Sequence, residues 1–286
     1  MSRKLDTRAI GLDVGLSFIR WITGAENLHY GLWTGLAPAA GNLRAAQEAY
    51  TDRLFALLPQ GRRLRILDIG GGAGETAKKL IALGHAVEIV VPSPFLAGRC
   101  RANAPGAVLH ECTFEEAAPE GRFDVCLFSE SFQYIPLDTA LGKSLSLLAE
   151  GGCILIADCF RTEAYRGRRA DGPKPGGGHG LAAFRAALGT LPVAVEHEED
   201  ITEAVAPSID LEQGFFHVLG HGMSRIDGEL RVKRPGLRWL VRRLTALFLP
   251  ARRRAALVER LTGNVRTAEA FRTYNRYLML RLAAAS

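Results

Sequence analysis

The chain has 286 residues, of which 48% are hydrophobic and 23% are charged. This suffices for a packed core and fits one large domain, or a domain with a substantial insertion. No apolar run reaches the roughly 18 residues of a membrane span, and the basic start MSRKLDTRAI lacks the apolar core of a secretion signal. We therefore expect cytoplasmic residence.

The charge and the cysteines exclude further classes of protein. The net charge is +6, but residues 231–260 hold ten Lys or Arg against one acid, and the rest of the chain has 26 basic and 29 acidic residues. Because the excess belongs to one segment, no nucleic-acid partner is predicted. The five cysteines are scattered and never spaced as CxxC, so we expect free thiols. No His/Asp/Glu cluster has metal-ligand spacing, and no metal is predicted.

Residues 1–60 have helical periodicity, and from residue 64 apolar strands alternate with helices. Strands are predicted at 64–70, 86–91, 107–114, 123–130 and 152–160, with helices at 75–84, 93–105 and 138–152. This alternation predicts an α/β fold with a parallel sheet covered on both faces.

The regularity ends after residue 160. Residues 166–180 form a Gly/Pro/basic stretch that predicts a mobile loop. A helix (181–190) and a strand (193–200) follow. Residues 208–262 have mostly helical character with breaks near Pro235 and Pro250, and 275–283 predict a last strand.

The stretch ILDIGGGAGETAKKL (66–80) reads as a strand, a glycine turn and a helix. Backbone N–H groups and a helix N-terminus at such a turn face a ligand, which is commonly a phosphate. GAGETA (72–77) also fits the dinucleotide pattern GxGxxA. However, Asp68 and Glu75 would place carboxylates where a pyrophosphate would bind. The pattern therefore favours an adenosine ligand with a cationic group.

Asp68-x-Gly70-x-Gly72-x-Gly74 resembles the first motif of class I S-adenosylmethionine-dependent methyltransferases. GRFDVCLFSESFQYIP (121–136) is similar to the fourth strand of that family, and LLAEGGCILIAD (147–158) to its fifth. The resemblance implies a Rossmann-like seven-stranded sheet with helices on both faces. It also implies three parts: an N-terminal helical cap (1–60), a methyltransferase core (61–207 and 263–286) and a helical lid insertion before the last strand (208–262).

Three segments are similar to the sterol, tocopherol and prenyl-diphosphate methyltransferase group: GAENLHYGLW (24–33), SESFQYIP (129–136) and EEDITEAVAP (198–207). In the second, Tyr134 stands where that group has histidine. The resemblance implies methyl transfer from S-adenosylmethionine to a small, mostly apolar molecule, such as a secondary metabolite, a prenyl compound or a lipid. The acceptor atom (C, O or N) and the oligomeric state stay open.

The resemblance and the chemistry of the side chains together predict two sets of site residues. The expected cofactor-binding residues are Asp68, Gly70, Gly72, Gly74, Val91, Pro92, Thr113, Phe114, Ser129 and Tyr30. The expected catalytic residues, which would orient the acceptor or take its proton, are Glu130, Tyr134 and His179. For Glu130, Tyr134 and Tyr30 the alternative is a packing role, and for His179 it is a capping or core role.

The sequence departs from the family at the end of the second strand. The acid that binds the ribose hydroxyls is replaced by Val91, and the adenine-side acid is replaced by Cys112 or Thr113. A lost contact of this kind costs on the order of 1–3 kcal/mol. Either Ser93 or the backbone of Pro92 compensates, or cofactor binding is weakened or lost. Two alternatives follow: a non-catalytic or repurposed relative that binds a small ligand, and an NAD(P)-dependent reductase.

Leu237, Leu240, Val241, Leu244, Leu247 and Phe248 fall on one helical stripe beside Arg238, Arg242 and Arg243. This pattern permits peripheral membrane contact through 237–254 or the binding of an anionic substrate. An amphipathic helix docked on its own domain would show the same pattern.

Overall fold

A computed structural model describes residues 7–168, 172, 176–264 and 266–284. In this part of the chain one sheet contains eight strands: β1 (Arg65–Ile69), β2 (Ala86–Val90), β3 (Val108–His110), β4 (Phe123–Ser129), β5 (Leu148–Arg161), β6 (His179–Gly180), β7 (Val193–Asp200) and β8 (Asn275–Ala284). Their spatial order is β3-β2-β1-β4-β5-β8-β7, and the short β6 pairs with β5. The strands from β3 to β5 in this order are parallel, whereas β8 is antiparallel to both of its neighbours. The predicted class I sheet is confirmed.

The described α-helices are α1 (Thr7–Thr23), α2 (Leu43–Phe55), α3 (Glu75–Ala82), α4 (Pro94–Asn103), α5 (Leu137–Leu147), α6 (Leu181–Leu188), α7 (Thr202–Val205), α8 (Pro207–Lys233), α9 (Pro235–Phe248), α10 (Ala251–Thr262) and α11 (Ala268–Tyr274). Short 3₁₀ turns cover Ala40–Asn42, Phe132–Tyr134 and Glu163–Tyr165. The predicted breaks are confirmed, since α9 begins at Pro235 and α10 begins after Pro250.

The sheet has a hydrophobic core on each face. Successive residues of β1 point to opposite faces, so Ile66 packs among residues of α2 and α3, and Leu67 packs among residues of α5 and α6. Both side chains are fully buried. This explains why the central strands read as continuous apolar runs.

Three predicted elements were wrong in length, since the strand predicted at 152–160 is β5, which spans Leu148–Arg161. The strand predicted at 107–114 ends at His110, because the Thr113 hydroxyl and N–H both donate to the Glu116 carboxylate and close a turn. The helix predicted to reach residue 152 ends at Leu147, because Leu148 joins β5 opposite Phe123. Six residues of the loop predicted at 166–180, namely 169–171 and 173–175, lie outside the described residues.

The segment between α1 and α2 is held on two sides, by α2 and by α8. A Cβ at Gly31 would lie 2.5 Å from the Ala46 Cβ, so α2 can approach only a glycine. The indole N–H of Trp33 donates to the Ser208 hydroxyl at 2.8 Å and anchors the segment to α8. Trp33 is therefore a buried packing residue.

Within the described ranges no helix combines the length and the hydropathy needed to cross a bilayer. The five cysteines are free.

Candidate active site

A cavity of about 640 Å³ lies beyond the carboxyl ends of β1, β2 and β4. The chain order reverses between β1 and β4, and open α/β sheets bind ligands at such a switch point. We call this the cofactor cavity. Its lining includes Glu26, Asn27, Leu28, His29, Asp68, Gly70, Gly72, Glu75, Val91, Pro92, Ser93, Thr113, Phe114, Glu115, Ser129, Glu130, Ser131 and Tyr134.

The glycine turn between β1 and α3 forms one wall of the cofactor cavity. Gly70, Gly72 and Gly74 all have positive φ, a region that favours glycine. A Cβ at Gly70 would also lie 2.3 Å from the Cβ of Ser131, whose hydroxyl donates to the Ile69 carbonyl. The backbone of the glycine turn therefore packs directly against the Ser131 side chain of the loop after β4. No larger residue fits at Gly70.

Asp68 provides a negative group under this turn. Its side chain is buried, and burial raises the pKa of Asp68 to about 7. Among the described residues none forms a hydrogen bond with Asp68 Oδ2. An unpaired buried carboxylate oxygen is costly unless a ligand completes it. A ligand with a positively charged amino or sulfonium group fits this position.

Glu75 and Glu26 are already engaged by the protein. Glu75 begins α3, and its Oε1 accepts the Glu26 N–H at 3.4 Å. The Glu26 carboxylate accepts two hydrogen bonds from Arg99, at 2.6 and 2.8 Å. These contacts fasten the segment before Tyr30 over the cofactor cavity.

The wall formed by β2 has no acid at its end. Val91 lines the cofactor cavity with an aliphatic side chain, and its N–H donates to the His110 carbonyl at 3.0 Å. Glu88 is turned away and pairs with Arg65 and with His110 Nε2, the latter at 2.8 Å. Ser93 lines the cavity and caps α4 by accepting the Leu96 N–H.

A second cavity of about 260 Å³ adjoins the first, and Glu130 and Tyr134 line both. We call it the inner chamber. The other described residues that line it are Tyr30, Gln133, Cys159, Gly176, Gly177, Arg266 and Tyr277.

Glu130 lies between the two cavities in a strained conformation. Its φ of 57° lies in the left-handed region, which costs a residue other than glycine about 1–3 kcal/mol. Its Oε1 accepts the Tyr30 N–H at 2.7 Å and the Tyr277 hydroxyl at 3.0 Å. Burial raises the pKa of Glu130 to about 8, although both hydrogen bonds lower it. The carboxyl can therefore gain or lose a proton near neutral pH.

Two further contacts shape the inner chamber. The Tyr50 hydroxyl lies 2.8 Å from that of Tyr277, so the bond to Glu130 belongs to a chain of hydroxyls. Arg266 donates to the Tyr30 hydroxyl at 3.0 Å and pairs with Glu212 at 3.4 Å. Its Nε is buried and lacks a partner among the described residues.

The structure brings most of the expected site residues to these cavities. Asp68, Gly70, Gly72, Val91, Pro92, Thr113, Phe114 and Ser129 line the cofactor cavity, whereas Gly74 caps α3 and does not line it. Tyr30 lines the inner chamber instead, together with Glu130 and Tyr277. Tyr134 is 69% exposed and lies at the mouth of both cavities.

His179 is not brought to the site. It forms the two-residue β6 rather than beginning a helix, and it lines neither cavity in the described part of the chain. Its Nε2 lies 3.1 Å from the Phe132 carbonyl and 2.9 Å from the Ile135 carbonyl. This ring supports the loop after β4, in agreement with the capping or core alternative.

Sequence reasoning missed Arg266 and Tyr277. Tyr277 lies within the predicted last strand, and strand alternation alone could have placed it on the same face as Met279. Arg266 follows α10 in a stretch without periodicity, and no local signal distinguishes it from other arginines.

Among the described residues no group of three or more His, Cys, Asp or Glu side chains is placed to hold a metal ion.

A family model described as a methyltransferase domain matches residues 42–186, which is half of the chain. This chain belongs to the methyltransferase-domain family. S-adenosylmethionine, the methyl donor of this family, is therefore the cofactor. The 27-O-demethylrifamycin SV methyltransferase of Amycolatopsis mediterranei (strain S699) is 27% identical over 202 residues, which are 64% of this chain and 72% of that protein.

Solved structures of this methyltransferase fold cover nearly the whole chain. Geranyl diphosphate methyltransferase with GPP and sinefungin matches with a TM-score of 0.63 and 15% identity, over 93% of this chain and 92% of that one. The cyclopropane synthase MmaA2 of Mycobacterium tuberculosis matches with a TM-score of 0.67 and 14% identity, over 95% of each chain. The [4+2]-cyclase SpnF matches with a TM-score of 0.63 and 16% identity, over 97% and 96%.

Proposed function

We propose that this methyltransferase acts on a small, mostly apolar molecule held in the inner chamber, and that Glu130 orients the acceptor or takes its proton. The observation that carries the proposal is the position of the Glu130 carboxyl, which lines both the cofactor cavity and the inner chamber. A group that transfers a proton must lie where cofactor and acceptor meet.

The residues of the cofactor cavity fit S-adenosylmethionine. When bound, it supplies a methyl group on a positively charged sulfur. Asp68, buried under the turn, would attract the positive amino group through its charge, and the backbone of residues 70–72 would allow the methionyl part to approach closely. Val91, Pro92, Thr113, Phe114 and Ser129 would surround the adenosine.

Glu130 has the acidity that a general base needs at neutral pH. A base works best when its pKa lies near the working pH, and that of Glu130 is raised to about 8. The Tyr30 N–H and the Tyr277 hydroxyl fix Oε1, so the carboxyl is oriented before an acceptor arrives. Tyr134 would contact the acceptor at the mouth of the chamber. A role for His179 is not proposed.

The inner chamber supports an acceptor with one polar end. The rings of Tyr30 and Tyr277 offer apolar surface, while Arg266 and Glu130 offer one cation and one carboxyl. An acceptor with a hydroxyl or an acidic C–H on an apolar skeleton matches this distribution. The helices of the insertion, residues 208–262, would act as its lid.

The second candidate is a repurposed relative that binds a small ligand without transferring a methyl group. Its support is the aliphatic side chain of Val91, which cannot accept a hydrogen bond from a ribose. SpnF, which shares the fold, is described as a cyclase. The reductase alternative has no such support, because the chain matches a methyltransferase family.

The test is to incubate the protein with methyl-labelled S-adenosylmethionine and an organic extract of the source organism. We expect label in an extractable product, which mass spectrometry identifies. Glu130→Gln should lose this transfer but still bind S-adenosylhomocysteine in calorimetry. A protein that binds S-adenosylhomocysteine but labels no product supports the repurposed relative.

We also propose that the chain resides in the cytoplasm and makes peripheral membrane contact through residues 237–254. The division into a cap, a core and an insertion is part of the same proposal.

A further inference from the structure

Helix α9 exposes its entire apolar stripe. The six side chains are 46–77% exposed, and no described α9 residue is buried: Leu237, Leu240, Val241, Leu244, Leu247 and Phe248. We call this set the α9 stripe. An amphipathic helix normally buries such a face against its own domain. Docking on its own domain therefore leaves much of this apolar face uncovered.

The neighbouring helices leave each side chain of the α9 stripe at least 46% exposed. In α10 the buried residue is Leu261, which packs on α8 at Gly220, where a Cβ would lie 2.2 Å from the Leu261 carbonyl oxygen. This contact fastens α10 to α8 at the end far from Phe248 in the chain. Within the insertion, α10 is thus packed on α8, and the α9 stripe forms a separate exposed apolar surface.

The flanks of the α9 stripe are strongly cationic. Residues 231–260 contain ten Lys or Arg and one acid. Arg238 is held by Asp227 through two hydrogen bonds of 2.8 and 2.9 Å, and Arg243 lies over the ring of Trp239 at 5.3 Å. Arg252 and Arg253 follow at the start of α10 and are exposed. An apolar stripe bordered by arginines complements a surface that is apolar inside and anionic outside.

We propose that α9 docks this methyltransferase on an anionic lipid bilayer. The α9 stripe enters the boundary between headgroups and acyl chains, and the arginines bind lipid phosphates.

A second copy of the chain is the competing occupant, and the charge argues against it. A symmetric dimer would place the same surface of both copies face to face. Two segments with a local excess of nine positive charges would then repel each other, whereas an anionic bilayer neutralises them. The lipid surface is therefore the better partner.

The test is sedimentation with vesicles of phosphatidylcholine alone and of phosphatidylcholine with a quarter of phosphatidylglycerol, at about 0.1 M salt. The wild-type protein should bind the anionic vesicles at least ~10-fold better than the neutral ones, and binding should weaken at high salt. The double variant Leu247→Asp, Phe248→Asp should reduce binding to anionic vesicles by ~10-fold or more, because both side chains leave the acyl boundary.

Matched variants separate docking from folding and from self-association. Val14→Asp with Leu83→Asp introduces the same two charges at residues that are 63% and 62% exposed outside the insertion, and this variant should bind vesicles like the wild type. Arg242→Gln with Arg243→Gln should reduce the preference for anionic lipid. Unchanged binding of the double variant would overturn the proposal. So would a dimer, seen by light scattering, that the double variant dissociates. Vesicle sedimentation does not measure methyl transfer. Its outcome is therefore independent of the reaction proposed for the active site.

Discussion

The two halves of the active site are built differently. In the cofactor half one wall is backbone, from a glycine turn whose residues are adjacent in sequence. In the acceptor half it is mainly side chains, from Tyr30, Glu130, Arg266 and Tyr277, which lie far apart in the chain. A backbone wall recognises a shape that many relatives share, whereas a side-chain wall can change with each substrate. Variants of the cofactor half should therefore change cofactor binding, and variants of the acceptor half should change the rate and its pH dependence.

Glu130→Gln should have the largest effect. It keeps the shape of the side chain but removes the base, so kcat should fall by about 10²–10⁴-fold. Affinity for S-adenosylhomocysteine, measured by calorimetry, should change little. The wild-type rate should rise with pH toward the pKa of about 8, because only the ionised carboxyl accepts a proton.

The matched control is Glu115→Gln, because Glu115 is an exposed carboxylate on the cofactor cavity alone. It should leave kcat unchanged. If Glu130→Gln retained the wild-type rate and pH profile, the acceptor half would need another base.

Gly70→Ala should act on the cofactor half. The added Cβ would meet Ser131 at 2.3 Å and would also occupy a positive φ. We expect a loss of about 2–4 kcal/mol in the free energy of unfolding and no measurable cofactor binding.

Gly84→Ala separates backbone strain from crowding. Gly84 has a positive φ of 91° but nothing within 4 Å of an added Cβ, so only about 1 kcal/mol should be lost. Chemical denaturation measures both variants. Equal losses would show that the contact with Ser131 does not restrict Gly70.

Tyr277→Phe should change the acidity of the base. The Tyr277 hydroxyl lowers the pKa of Glu130, so its removal should raise that pKa and move the rising limb of the rate to higher pH. At pH 7 the rate should fall by about tenfold. The Tyr50 hydroxyl bonds to Tyr277 and not to Glu130, so Tyr50→Phe should shift the pH–rate profile less. A rate loss without a shift of the limb would mean that Tyr277 only shapes the chamber.

Val91→Asp should give the smallest effect, and in the opposite direction. A carboxylate at the end of β2 could accept hydrogen bonds from the ribose, so S-adenosylhomocysteine should bind about 5–10-fold more tightly. Val91→Ala serves as the control without a carboxylate. Weaker binding in calorimetry would indicate that the ribose lies away from Val91.

The sequence predicted the fold better than the site. The core strands and the glycine turn could be predicted because they are local: apolar runs, a turn, and a helix start within about 15 residues. The length of β3 could not, because the Thr113–Glu116 turn competes with the strand. The location of His179 could not be predicted from its residue type. The ring lies beside two carbonyls because β6 pairs with β5. Arg266 and Tyr277 reach the site only through tertiary packing.

The position of β8 in the chain affects how this protein folds during translation. β8 lies between β5 and β7 and supplies Tyr277, yet it follows every other described strand in the chain. Until it emerges, β5 has one open edge and β7 has no partner strand. Unpaired edges of this kind invite aggregation of a nascent polypeptide. Stalled translation just before residue 275 should therefore yield a species that needs chaperone protection and cannot yet assemble the acceptor pocket.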